Sequence, residues 1–182
     1  MIKDKDILDE KNKLLHQKSK DVEFPMSEKD LKLIDEMIDH LTKSQIPEEA
    51  EKYNLRPGMG LSAVQLGVLK RYFVVVYEYE EGKFDNYIII NPKIVSESKE
   101  MIYVEEGEGC LSVNRPVPGI VPRHARITMQ AYDTEGNLQE YRVREDLAIC
   151  FQHELDHLNG ILFVDKIDPN NPFKGKDKYR AI

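Results

Sequence analysis

Leu147-Ala148-Ile149-Cys150-Phe151-Gln152-His153-Glu154-Leu155-Asp156-His157-Leu158 is the stretch around which the rest of the chain organises. Its first five residues are apolar all round, so the periodicity from about Arg144 to Leu158 predicts a buried helix. Glu145 and Asp146 sit in the first turn, and Asn159-Gly160 supplies a stop. His153 and His157 lie four residues apart, hence on one face and about one turn (~6 Å of rise) from each other. A single ion fits between them. Glu154, one step round the helix, then points beside the water on that ion rather than replacing it. A divalent metal lowers the pKa of such a water from about 16 to about 7, and an adjacent carboxylate can take the proton.

Chance is a poor explanation of this spacing. With five His and nineteen Glu in 182 residues, about 0.01 occurrences of His-Glu-x-x-His are expected. A solvated polar helix face fits badly with the apolar run before it. Buried, unpaired imidazoles and a buried carboxylate would be costly, whereas a metal resolves all three.

Working outward, the residues upstream read as strand. Tyr72-Phe73-Val74-Val75-Val76-Tyr77 and Tyr87-Ile88-Ile89-Ile90 are β-branched and aromatic runs joined through Glu81-Gly82-Lys83. Arg126 to Tyr132 alternates, meets the hairpin loop Asp133-Thr134-Glu135-Gly136-Asn137, and continues from Leu138 to Val143. Links this short predict antiparallel pairing. Nearer the start, Leu31, Ile34, Met37, Ile38 and Leu41 recur at helical spacing, and Ser27 with Asp30 resembles a capping box. A helix from about Glu28 to Lys43 is expected, followed by a polar, partly helical insert from Gln45 to Asn54 closed by Arg56-Pro57-Gly58. Strands first and a buried helix last indicate an α+β fold of mostly antiparallel sheet.

The bulk numbers fit one domain spanning residues 1–182. Hydrophobic residues make up 41% and charged residues 32%, ordinary for a soluble globular protein. With 33 acidic and 26 basic side chains the formal charge is −7, so a broad DNA-neutralising surface is not expected. The Lys-rich stretch from Lys174 to Arg180, in the tail 174–182, reads as a solvated, partly mobile terminus. Met1-Ile2-Lys3-Asp4-Lys5-Asp6 is charged from the start, which argues against a secretory signal, and no run is long enough for a membrane span. Two cysteines in unlike contexts, Cys110 and Cys150, argue against a disulfide framework and for a cytoplasmic setting with a working thiolate.

Two histidines seldom make a catalytic site; three protein ligands and an open position are usual. Cys150 lies on the same helix face, but the midpoint of His153 and His157 is five residues on, a rise of ~7.5 Å. A thiol cannot close that gap, so Cys150 is assigned to the core or a pocket wall. Cys110, in Glu108-Gly109-Cys110-Leu111-Ser112, has strand-like surroundings, and Gly107 and Gly109 would let its backbone approach another element closely. It is the better third ligand. His124, in the charged stretch Arg123-His124-Ala125-Arg126, is placed at the surface. A second glycine-rich segment, Gly58-Met59-Gly60-Leu61-Ser62-Ala63-Val64-Gln65-Leu66-Gly67, leads into a strand, contrary to a dinucleotide fingerprint. It suits a tight wall beside a ligand, with Gln65 a fixed donor, though a flexible loop fits the segment as well.

Together, Gly58 to Gln65, Glu108 to Ser112 and Gln152 to His157 resemble the three ordered motifs of peptide deformylases. The similarity runs from about Asp6 to Asp165. The insert before Arg56-Pro57-Gly58 and the form Glu106-Gly107-Glu108-Gly109-Cys110 resemble the longer bacterial subtype, type 2. The resemblance implies removal of the formyl group from the N-terminal formylmethionine of new polypeptides, with release of formate. It implies Fe(II) as native metal, replaceable by zinc, nickel or cobalt, and ligands Cys110, His153 and His157. Glu154 would shuttle the proton, and Gln65 with the backbone N–H of Leu111 would hold the oxyanion. Gly60 would bond an extended substrate, and Met59 and Ile149 would line a pocket for the methionine side chain. A monomer with transient ribosome association is implied as well.

Glu108 and Asp156 are candidate supports behind the ligands, Asp156 paired with Arg123 or Arg126. Ser62 and Val64 depart from the common first motif, where alanine and proline stand, without removing a catalytic group. Two rivals are weaker. A metallopeptidase would need a third ligand downstream of the helix, where only Asp165, Asp168 and Asp177 remain in a loop-like tail. A non-catalytic metal-binding or ribosome-associated module would not need every catalytic residue in place.

Overall fold

The structure is a computed structural model describing residues 1–182. Helix α1 spans Glu28–Gln45 and opens on Ser27, whose hydroxyl oxygen accepts from Asp30 N–H at 3.1 Å. Ile34, Met37 and Leu41 form its buried stripe. It runs two residues past the expected end because the Gln45 amide donates to Gly58 O at 3.1 Å and Val76 O at 2.9 Å. The insert holds α2, Pro47–Tyr53, with proline in its first turn and Asn54 left-handed after it.

Strands follow: β1 (Gly60–Ser62), β2 (Tyr72–Glu80), β3 (Lys83–Glu97), β4 (Met101–Tyr103), β5 (Arg123–His124), β6 (Arg126–Tyr132) and β7 (Leu138–Arg144). Helix α3 covers Glu145–Leu158, and β8, Arg180–Ala181, comes last. Five strands pair antiparallel in the order β1-β2-β3-β6-β7, with β1 at an edge. This is the expected α+β architecture.

The run Tyr72–Val76 is buried throughout because β2 is covered on both faces. Side chains alternate across a strand, so Tyr72, Val74 and Val76 meet Ile34, Met37 and Leu41 of α1. Phe73 and Val75 meet Ala148, Phe151 and Leu158 of α3. Phe151 stands edge-on to Phe73 at 5.7 Å and to Tyr87 at 5.5 Å. Each such pair contributes about 0.5–1.5 kcal/mol beyond area burial. The helix carrying the His pair is thereby clamped to the centre of the sheet.

Two expectations need correction. Cys110 is not on a strand: no strand occurs between β4 and β5. Pro116, Pro118 and Pro122 remove backbone donors there, and Gly107 and Gly119 take positive φ. A Cβ on Gly109 would meet nothing within 4 Å, so close approach is not its role. The end of the Lys-rich tail is docked rather than solvated. Strand β8 pairs parallel with β4, which also pairs antiparallel with β5.

A buried carboxylate ties α1 to β2. Asp30 accepts from Tyr72 OH at 3.1 Å and Ser27 OH at 2.6 Å, and pairs with Lys70. Burial alone would raise its pKa, but Lys70, Ser27 and Tyr72 outweigh it and hold it below the ordinary 3.8. A folded-state pKa below the unfolded one stabilises above that ordinary value, and the contribution vanishes as pH falls through the folded value. Asp30→Asn is expected to lose about 1.5–3 kcal/mol at neutral pH. Its Tm deficit should shrink as pH drops below about 4; a deficit that persists there would refute the assignment.

Candidate metal centre

Helix α3 presents two imidazoles one turn apart, with ring centroids separated by 5.0 Å. The turn after β4 brings Cys110 against them. Donor atoms of Cys110, His153 and His157 all lie within 4.8 Å of one another, with Cys110 Sγ 3.3 Å from His157 Nε2. His153 is held through Nδ1, 2.9 Å from Glu108 Oε2, which leaves Nε2 facing the cluster. Two imidazole nitrogens and a thiol make a donor set suited to zinc or iron, with room for a further ligand. Glu154 Oε2 and His157 Nδ1 are buried without a hydrogen-bond partner. A cation beside that carboxylate would offset a desolvation that no hydrogen bond to Oε2 offsets.

Behind the cluster runs a buried ionic chain. Arg123 donates through Nε and Nη2 to both oxygens of Glu108, at 2.9 Å for Nη2, and through Nη1 to Asp156 at 2.9 Å. Lys166 reaches Asp156 at 3.1 Å. Burial would raise Glu108, yet Arg123 and His153 hold it at about 2. Arg123 is thus the partner of Asp156; Arg126 pairs with Glu100 instead. His124 is half-buried rather than at the surface, between Ser98 O at 2.7 Å and Glu97 at 3.2 Å, apart from the cluster.

The imidazoles are unlike. Burial pushes His157 well below its ordinary pKa. On His153 burial acts the same way, but Cys110 and Glu108 outweigh it and lift the group well above. Burial also lifts Glu154 to about 7, against the pull of His153 and Arg123.

The cluster faces a cavity of about 410 Å³ lined by Met59, Gly60, Gln65, Leu111, Ile149 and Glu154 among others. Every residue assigned from the sequence to metal, catalysis or substrate borders it except His157. Gly60 is the tight point: a Cβ there would lie 2.5 Å from Glu154 Oε1 and 2.9 Å from Cys150 Sγ. Only glycine lets β1 pass so near the carboxylate. Cys150 is a pocket wall, its thiol raised well above the ordinary pKa by burial.

Ser62 and Val64 have defined places. Ser62 N–H and OH donate to Gln65 Oε1 at 2.9 and 3.0 Å, which turns Gln65 Nε2 toward Ser112 Oγ at 3.0 Å and Cys110 Sγ at 3.7 Å. Val64 is fully buried beside Leu15 and Phe163. Sequence reasoning missed Arg56, read only as the end of the insert. Its Nη2 donates to Leu111 O, and its Nε donates to Asp4 at 2.8 Å. Leu8 N–H bonds Gln65 O and Glu10 N–H bonds Ser112 O, both at 2.8 Å. The N-terminal segment therefore braces both non-helical parts of the site.

This geometry has known counterparts. The family model for polypeptide deformylase matches residues 4–173. Peptide deformylase 2 of Bacillus cereus is 45% identical over 182 residues, covering 100% of this chain and 99% of the relative. The peptide deformylase of Shouchella clausii is 48% identical over 175 residues, 96% of each chain. The solved structure of peptide deformylase from Thermotoga maritima matches at TM-score 0.69 and 32% identity, over 90% of this chain and 97% of that one. That of a probable peptide deformylase from Synechococcus phage S-SSM7 gives 0.72 and 34%, over 88% and 98%. With a match this extensive, on a chain that brings Cys110, His153 and His157 together, the chain belongs to the polypeptide deformylase family.

Proposed function

We propose that this protein removes the formyl group from N-formylmethionine at the start of newly made polypeptides, releasing formate, with Cys110, His153 and His157 holding the metal. The observation that carries this reading is the meeting of those three donors beside the unpartnered Oε2 of Glu154. A divalent ion bound there supplies Lewis acidity and lowers the pKa of water toward neutrality. Thiolate and imidazole donors suit Fe(II), the native metal on this reading, and also zinc, nickel or cobalt.

The remaining chemistry belongs to the protein. Glu154 takes a proton from the attacking water and passes it to the peptide nitrogen as the C–N bond breaks, so formate and a free amine leave. Gln65 Nε2, aimed by Ser62, and Leu111 N–H donate to the formyl oxygen as it gains charge. Strand β1 is an edge strand, so Gly60 offers unpaired backbone groups to an extended peptide. Met59 and Ile149 give the methionine side chain an apolar lodging. No helix is long and apolar enough to cross a membrane. A single deformylase domain, monomeric and cytoplasmic, visiting the ribosome transiently, completes the proposal.

A metallopeptidase is disfavoured because Asp165 is engaged by Leu162 N–H at 2.9 Å and Asp168 by Asn170 N–H at 2.9 Å. Protein purified without oxygen should release formate from formyl-Met-Ala and leave an internally cleavable peptide intact; the reverse pattern would sink the proposal. Elemental analysis provides a second check. Cys110→Ala should retain no metal, whereas Cys150→Ala should keep one equivalent. Metal lost from Cys150→Ala and kept by Cys110→Ala would overturn the ligand assignment.

A further inference from the structure

We propose that β8 and the residue after it, Ile182, shape the back wall of the methionine pocket, with Ile182 setting side-chain specificity through Ile149 and Arg180 positioning the start of α3. The proposal rests on the reading of the cavity as the methionine site.

Two walls of the cavity depend on these last residues. Ile182 N–H donates to Tyr103 O and Ile182 O accepts from Glu105 N–H, both at 3.0 Å. These bonds flank Val104, which lines the cavity. The Ile182 side chain packs against the small apolar cluster of Ile102, Ala125 and Ile149. Ile149 belongs to that cluster and to the cavity wall at once. With so few buried members, the cluster cannot close over a missing side chain without Ile149 shifting.

Arg180 acts on the same wall from its N-terminal end. Its guanidinium grips Glu145 at 2.7 and 3.0 Å, and its Nε donates to Glu100 at 2.9 Å. Glu145 opens α3 with φ +53°, a strained value for a residue with a Cβ. Its N–H is also anchored, to Ala125 O at 2.9 Å. Asp146, the next residue, and Ile149, one turn on, border the cavity. Exposed ion pairs of this kind add little stability singly. Their use here is directional, since a two-pronged grip fixes where the helix begins. Ile182 is therefore the decisive residue.

The test is the ratio of kcat/KM for formyl-Met-Ala over formyl-Ala-Ala. Ile182→Ala is expected to lower that ratio about 3–10-fold, mainly through a higher KM for the methionine substrate. Its kcat on either substrate and its metal content should stay near wild type. Ile182→Val, a smaller excavation that keeps the fold if alanine does not, should shift the ratio in the same direction by less. Arg180→Ala should also lower it. A purely structural role would depress Tm and both substrates in proportion, leaving the ratio fixed, and that result overturns the proposal. Should the wild type discriminate and the Ile182 variants discriminate equally well, this inference alone is lost. A wild type inert toward both peptides would overturn the reading of the cavity as well.

Discussion

Glu154→Gln is expected to keep its full metal content and lose about 10²–10⁴-fold in turnover. Glutamine preserves the shape that lets Gly60 pass beside this side chain, where a Cβ would stand 2.5 Å from Glu154 Oε1. It also removes the buried charge, so the variant should fold at least as well as the wild type. What it cannot do is accept a proton. The loss should fall on kcat, with KM for formyl-Met-Ala little changed, because on the proposed reading the carboxylate acts on the reacting atoms and not on substrate side chains. Near-normal turnover by a metal-loaded Glu154→Gln would show that the proton moves through another group.

The second large effect concerns stability. Arg123 is 2% exposed at its side chain and Glu108 4% exposed, so Arg123→Met leaves a carboxylate buried without its counter-charge. Removing one partner of such a pair costs about 3–5 kcal/mol, which lowers Tm by roughly 10 °C for a chain of this size. Glu108 also orients His153, so metal affinity should weaken about 10–100-fold. Adding Glu108→Gln to Arg123→Met should recover part of the stability and none of the metal affinity. Thermal melts and metal titrations of the two singles and the double separate these contributions. Additive losses across that cycle would mean that the ionic chain is not acting as a unit.

The fold and the site differed in how legible they were. The His pair could be read because 3.6-residue periodicity is local, and the apolar run before it announced burial. The central sheet was visible for a similar reason: Tyr72–Tyr77 is a local β-branched and aromatic run. Cys110 was legible as the ligand a two-His set lacks, in a glycine-flanked segment, but Pro116, Pro118 and Pro122 keep that segment from being a strand. The grip of Arg56 on Leu111 joins residues 55 positions apart, and no pattern in either neighbourhood hints at it. Strand β8 was hidden by composition. Lysines and arginines suggested a solvated end, but backbone pairing is open to almost any side chain.

The three donors also carry a consequence for timing. Cys110 and His157 are 47 positions apart, and both imidazoles lie on α3. Gln65, Leu111 and the N-terminal brace are synthesised well before that helix. Contacts this distant in sequence form late and slowly, and a growing chain folds what it has first. A chain synthesised only as far as β7 would hold a sheet and a thiol but no paired imidazoles. The donor set therefore closes only when α3 packs onto the sheet, after the thiol's surroundings have already formed.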